Sequence, residues 1–216
     1  MLLGLFGKKL FIASLLIGLL SCSSLPIKQL PSHNSSQRIK FLVMHYTALN
    51  YQESLKVLVD EGGLSSHYLI PQSHDPSYGD SSLSVIQLVD ESARAWHAGA
   101  SYWQGRRDLN DHSIGIEVVN QPTCDDKTSD GLVNAPDPFS QQQCRFPNYD
   151  PTQIALLIKL SIDILARNPD IGPTQVIGHS DIAPTRKQDP GPKFPWFSLY
   201  QAGIGAWFEP EVVAKY

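Results

Sequence analysis

The chain has 216 residues, 42% of them hydrophobic and 18% charged, a balance that excludes a disordered tail and a polytopic membrane protein and makes one domain the expectation. Its 17 Lys and Arg against 21 Asp and Glu leave a net charge of −4, which excludes a protein held on nucleic acid by counterion release.

In chain order, the first feature is Lys8-Lys9 followed by an unbroken apolar run from Leu10 to Leu20. The run is 11 residues long, about half of the ~20 that a membrane-spanning helix needs, so it reads as the apolar stretch of a signal peptide. Leu19-Leu20-Ser21-Cys22 closes the run and resembles a bacterial lipobox, which implies cleavage before Cys22 and lipid attachment to that cysteine. Residues 1–21 are then a lipoprotein signal peptide, and without its two lysines the charge of −4 becomes −6. Ser23 follows the cysteine where an Asp would stand for retention, which resembles the default for an outer-membrane lipoprotein facing the periplasm of a Gram-negative bacterium. Ser23 to Gln37 is rich in Ser, Pro, Gln and Asn with little periodic apolar content. Residues 22–37 are therefore expected to form a flexible tether, and residues 38–216 the folded domain.

Arg38 to Thr47 reads as a buried strand. Ser54 to Glu61 reads as a short amphipathic helix with Leu55, Leu58 and Val59 on one side, stopped by Gly62-Gly63. Leu64 to Ile70 and Leu83 to Val89 read as the strands of a hairpin with a long, turn-rich connection, and Ile114 to Val119 as a further strand. Asn120 to Asp150 is dense in Pro, Asp, Asn and Gln and holds Cys124 and Cys144. Outside the cytosol this pair favours a disulfide, whose loop closure contributes roughly 3 kcal/mol. A metal site there would lack both a CxxC spacing and a neighbouring His.

Pro151 to Asn168 is the clearest helix. Asp150 can cap it, Pro151 suits its first position, and Gln153 completes an Asp-x-x-Gln capping box. Ile154, Leu157, Ile158, Ser161, Ile164 and Leu165 recur at three- and four-residue spacing and mark one buried face. Gln175 to His179 reads as a short strand, followed by a loop heavy in Pro and charge and a last helix from Trp196 to Trp207. Interspersed strands and helices predict an α/β fold, a single domain with a central mixed β-sheet flanked by helices, and place the chemistry on loops beyond strand ends.

Three polar residues end or follow strands: His45 in VMHYT, His179 in VIGHSD and Asp189 in RKQDPGP. Two imidazoles and one carboxylate leave a fourth tetrahedral position open for water, the arrangement that separates a catalytic zinc from a structural one. Spacing alone does not bring them together, and packed, hydrogen-bonded histidines fit the same pattern. Glu117, in Ile114-Gly-Ile-Glu117, fits the solvent-facing member of an alternating strand as well as a buried acid, and Lys187 by itself reads as a solvated loop charge.

His45-Tyr46-Thr47-Ala48, Ser65-Ser66-His67-Tyr68, Trp96-His97-Ala98-Gly99, Asn110 to Asn120 (NDHSIGIEVVN) and Gly178 to Trp196 (GHSDIAPTRKQDPGPKFPW) follow one another along the chain. Together they resemble the zinc-dependent N-acetylmuramoyl-L-alanine amidases of the type-2 amidase and peptidoglycan-recognition-protein superfamily, over about residues 38–208. The resemblance implies one zinc ion per chain, bound by His45, His179 and Asp189. It implies that Glu117 takes a proton from the attacking water and delivers it to the leaving amine, and that Lys187 stabilises the oxyanion. Tyr46, Trp96 and His97 are expected to line the substrate groove, and His67 to be a hydrogen-bonded strand residue. Arg106 and Arg107 fit either contact with stem-peptide carboxylates or simple solvation.

The implied reaction is hydrolysis of the amide between N-acetylmuramic acid and L-alanine in peptidoglycan or muropeptides, releasing stem peptides during wall turnover. The implied enzyme is a monomer that meets the membrane through its lipid anchor. The same fold also serves as a non-catalytic peptidoglycan-binding lipoprotein, but such relatives typically lack one or more zinc ligands, and all are present here. Only residues 209–216 follow the last expected helix, so contact with the wall is expected to rest on the tether and the groove.

Overall fold

In the computed structural model residues 25–60, 63–124 and 144–208 are described. The expected signal peptide, Cys22, the Gly62 half of the first helix stop, the interior of the Asn120–Asp150 excursion and the last eight residues lie outside them. Residues 25–35 are exposed and form neither helix nor strand.

The sheet starts from β1 (Phe41–Tyr46), whose Leu42, Val43 and Met44 are fully buried. So continuous an apolar run suits a strand covered on both faces, as parallel strands are. The described residues build a five-stranded sheet in the order β3-β2-β6-β1-β9, with β2 (Tyr68–Ile70), β3 (Ile86–Gln87), β6 (Ser113–Val118) and β9 (Val176–Gly178). β2, β6, β1 and β9 run parallel, and β3 is the antiparallel edge. This is the expected mixed α/β architecture. Alternation along each strand divides the side chains. Leu42, Met44, Ile114, Ile116 and Val118 pack with Ile154, Leu157 and Ile164 of α2 (Pro151–Arg167). Phe41 and Val43 face the other way, with Ala98, Leu109, Ile177 and Ile182. His45 and Glu117 follow the parity of that second face.

The elements differ from the sequence expectation where local hydrogen bonds override periodicity. The first helix begins earlier, as α1 (Tyr51–Leu55), because Asn50 and Glu53 form a capping box. Its continuation over Lys56–Asp60 is π-helical, a winding that breaks the 3.6-residue period. Val59 is accordingly exposed, and Ser54 takes the buried position. The strand expected over Leu64 to Ile70 shortens to β2 because Ser65 and His67 pair instead with the 88–96 loop: Ser65 N–H donates to the Trp96 carbonyl and Leu88 N–H to that of His67. The expected hairpin partner survives as β3, in register Tyr68 opposite Gln87.

β4 (Tyr102–Trp103) and β5 (Arg106–Arg107) form a small hairpin, and β7 (Thr123–Cys124) pairs with β8 (Cys144–Arg145) at the base of the excursion. In α2 Asp150 caps the Thr152 N–H as expected, but Gln153 does not close a capping box. Its amide donates to the Ile70 and Val119 carbonyls instead, at 3.1 and 2.9 Å, tying the helix to two strand ends. After α3 (His179–Ile182), the last helix α4 (Trp196–Gln201) stops short of Trp207. Gly203 takes φ +80°, and the Ile204 N–H reaches back to the Leu199 carbonyl, a Schellman stop that buries Ile204.

Candidate active site

The strand order brings the polar residues together. β1 lies between β6 and β9, with His45 opposite Glu117 and Met44 opposite Gly178, so that His179 begins α3 beside His45 at the carboxyl ends of the parallel strands. This edge of a parallel sheet is where α/β folds bind ligands. Asp189 arrives from the following loop, where its carbonyl accepts the Ser180 N–H at 2.8 Å.

His45 Nδ1 stands 3.0 Å from His179 Nδ1 and 2.9 Å from Asp189 Oδ2, and His179 Nδ1 stands 3.0 Å from the same oxygen. The three side chains are buried. Among the described residues they form the His/Cys/Asp/Glu group able to hold a metal ion. The edges of this triangle are slightly shorter than the ~3.3 Å edge of a tetrahedron with bonds of about 2.0–2.1 Å. The far nitrogen of each ring is engaged elsewhere. His179 Nε2 lies 3.0 Å from the Ala98 carbonyl, which can only accept, so Nε2 carries a proton directed at it and Nδ1 is the ring nitrogen that faces the triangle. His45 Nε2 meets His97 Nδ1 at 2.9 Å.

Charge follows from burial. Desolvation lowers His45 to about 4 against the pull of Asp189, so the ring is neutral near pH 7. Burial pushes Asp189 upward, but the adjacent His179 and His45 rings outweigh it and hold the carboxyl well below its ordinary range. Glu117 moves the other way: desolvation, reinforced by the Asp189 charge and opposed by Lys187, raises it to about 8. Its Oε2 is buried without a hydrogen-bond partner in the protein. Glu117 is thus no solvent-facing member of an alternating strand.

His179, Asp189 and Glu117 line one cavity of about 340 Å³, together with Tyr46, Trp96, Arg186 and Lys187 among others. Trp96 is 51% exposed. Burial and the Asp189 charge push the Tyr46 phenol up to about 12. His97 touches the cavity wall but is buried, with both ring nitrogens in hydrogen bonds, to His45 and to Ser113 Oγ. His67 is hydrogen-bonded as expected: its Nδ1 accepts the Gly115 N–H at 3.0 Å. Arg106 and Arg107 lie on the exposed β5 strand and are not among the lining residues. The arginine that does line the cavity, Arg186, was not singled out from the sequence. Its guanidinium donates to the Ala98 and Ala100 carbonyls. The one signal for it was its position beside Lys187 in the RKQDPGP segment.

The chain is 45% identical over 179 residues to the N-acetylmuramoyl-L-alanine amidase AmiD of Escherichia coli, an alignment covering 83% of this chain and 58% of that protein. The crystal structure of AmpDh3 from Pseudomonas aeruginosa in complex with anhydromuramic pentapeptide superposes with a TM-score of 0.76 at 46% identity, covering 89% of this chain and 72% of that one. The complex of E. coli AmiD with the substrate anhydro-N-acetylmuramic acid-L-Ala-D-γ-Glu-L-Lys superposes with a TM-score of 0.70 at 42% identity, over 87% of this chain and 66% of that one. The chain therefore spans less than two thirds of the length of the curated relative. Residues 35–192 match the N-acetylmuramoyl-L-alanine amidase family, Amidase_2, and the chain belongs to that family.

Proposed function

We propose that this chain hydrolyses the amide between the lactyl group of N-acetylmuramic acid and L-alanine in peptidoglycan fragments, with zinc held by His45, His179 and Asp189. The observation that carries the reading is the buried triangle of two imidazole nitrogens and a carboxylate oxygen, of which His179 and Asp189 line the cavity together with Glu117 and Lys187. Such a donor set fits a zinc ion with a fourth position left open. The relatives solved with anhydromuramic peptides support the substrate class.

Bound there, zinc polarises a carbonyl oxygen and lowers the pKa of water to about 7. Glu117 takes the proton of the attacking water and hands it to the departing amine. Lys187 faces the developing oxyanion with a fixed positive charge. Trp96 and Tyr46 wall the cavity and hold the sugar and peptide in line, the raised Tyr46 phenol staying a hydrogen-bond donor.

The same reading places the domain at the outer membrane, facing the periplasm. Residues 1–21 serve as signal peptide, Cys22 carries lipid, residues 22–37 form the tether, and the catalytic unit is a monomer. An oxidising compartment suits a Cys124–Cys144 disulfide, which the antiparallel register of β7 and β8 supports by setting the two residues opposite each other.

The test is product analysis. Zinc-loaded protein lacking residues 1–22 releases free stem peptide from purified muropeptides, as seen by mass spectrometry, and stops doing so when a chelator removes the metal. A folded, zinc-loaded protein that binds muropeptides without releasing peptide is a binding module, and overturns the proposal.

A further inference from the structure

Two segments have no part in the chemistry above, His97-Ala98-Gly99 after Trp96 and the Asn110–Ser113 segment that leads into β6. The structure joins them into a single chain of hydrogen bonds behind His45. Its far end is the Leu109 carbonyl, which can only accept. Ser113 Oγ lies 2.6 Å from that oxygen, so the hydroxyl proton points at it. The Ser113 oxygen is then an acceptor for His97 Nε2–H, at 3.1 Å. With that proton on Nε2, His97 Nδ1 is a lone pair, and it accepts His45 Nε2–H at 2.9 Å. His45 Nδ1 is left as a lone pair inside the triangle.

The surroundings are shaped for this arrangement. Asn110 Oδ1 accepts the backbone N–H groups of His97, at 3.1 Å, and Ala98, at 2.7 Å, which fixes the backbone that carries the His97 ring. Gly115 leaves the space the ring occupies: a Cβ there would lie 2.5 Å from His97 Cγ. The adjacent Ala98 carbonyl takes the Nε2–H of His179. The 97–98 segment thus sets the orientation of both histidine ligands, one through a side chain and the other through the main chain.

We infer that His97 is a positioning residue for the metal: through Ser113 and the Leu109 carbonyl it holds His45 in the Nε2–H form, so that Nδ1 is presented to the ion. The inference rests on the zinc reading of His45, His179 and Asp189. Groups that orient metal-bound histidines in this way are worth about 10–100-fold in metal affinity.

The experiment compares two substitutions of similar shape that differ in hydrogen-bonding capacity. His97→Asn keeps an acceptor near the position of Nδ1, and His97→Leu removes it. Zinc dissociation constants are measured for the wild-type and variant proteins by competition with a chromophoric chelator, alongside thermal denaturation to verify folding. His97→Leu is expected to bind zinc about 10–100-fold more weakly than wild type, and His97→Asn within about 3-fold of it. Equal zinc affinity in the two variants overturns the inference, because a space-filling role would make them alike. Should either variant not fold, the wild-type protein decides. Long-range proton–nitrogen spectra of histidine-labelled, zinc-loaded protein are expected to show His97 protonated on Nε2, and protonation on Nδ1 overturns the inference. Failure of the wild-type protein to bind zinc would instead overturn the metal reading, so the two failures are distinct.

Discussion

Glu117 is the residue whose environment most changes its chemistry. Its carboxyl is moved from an ordinary 4.5 to about 8 by burial and by the Asp189 charge. Glu117→Gln keeps the shape and removes the proton carrier, so kcat is expected to fall about 10²- to 10⁴-fold, with zinc affinity retained. The same residue makes stability depend on pH. In metal-free protein the folded state keeps a proton that the unfolded chain loses above pH 4.5, so stability is fully present below 4.5 and declines as pH rises toward 8. Urea titrations of metal-free protein should show the Glu117→Gln variant gaining on wild type across that window. Parallel curves for the two proteins would show that burial does not hold the proton. His45 carries the opposite sign: its pKa falls from 6.5 to about 4, so its contribution is present above pH 6.5 and is lost on acidification toward 4. The residue types of the site were legible in the chain. That the Glu117 carboxyl is buried beside the cavity was not, because an alternating strand leaves open which side is covered.

At the scale of elements, α2 was legible nearly to the residue, because its three- and four-residue apolar spacing runs over 17 residues and Asp150 and Pro151 mark its start. Its Leu157 is fully buried against the sheet. Leu157→Ala is expected to cost about 2–5 kcal/mol in urea unfolding, from lost burial and the cavity left behind. A loss below about 1 kcal/mol would place Leu157 outside the core. Shorter elements were less legible. Asn50 and Glu53 cap α1 three residues before the apolar pattern becomes visible, and π winding then turns Val59 outward. Gln153 sits where a capping box predicts it, but two strand-end carbonyls compete for its amide and win. In each case a hydrogen bond to a residue outside the pattern decided the outcome.

For the whole molecule, function depends on parallel strands that return to neighbouring positions. His45 and His179 are 134 residues apart in sequence, yet adjacent because β1 and β9 pair. The proposed anchor acts at the same scale. Cys22→Ser in the full chain is expected to move the protein from the detergent-soluble membrane fraction to the soluble periplasmic fraction, with muropeptide hydrolysis by the purified protein unchanged. Continued membrane association of that variant would show that the tether is not held through Cys22.

The amino-acid sequence by itself determined the character of the site: two histidines at strand ends, an aspartate in the Pro-rich loop that follows and a glutamate within a strand. It also determined the element types where a period of two or of 3.6 residues persists, since such periods depend on neighbours a few positions apart. Only the tertiary structure decided which of these residues meet. The order β6-β1-β9 converges His45, His179 and Glu117, and the return of the 97–113 segment behind them gives His97 and Ser113 a place in the site. Contacts between residues distant along the chain leave no local pattern, so hydrogen bonds at right angles to the strands become readable only once strand order and register are set.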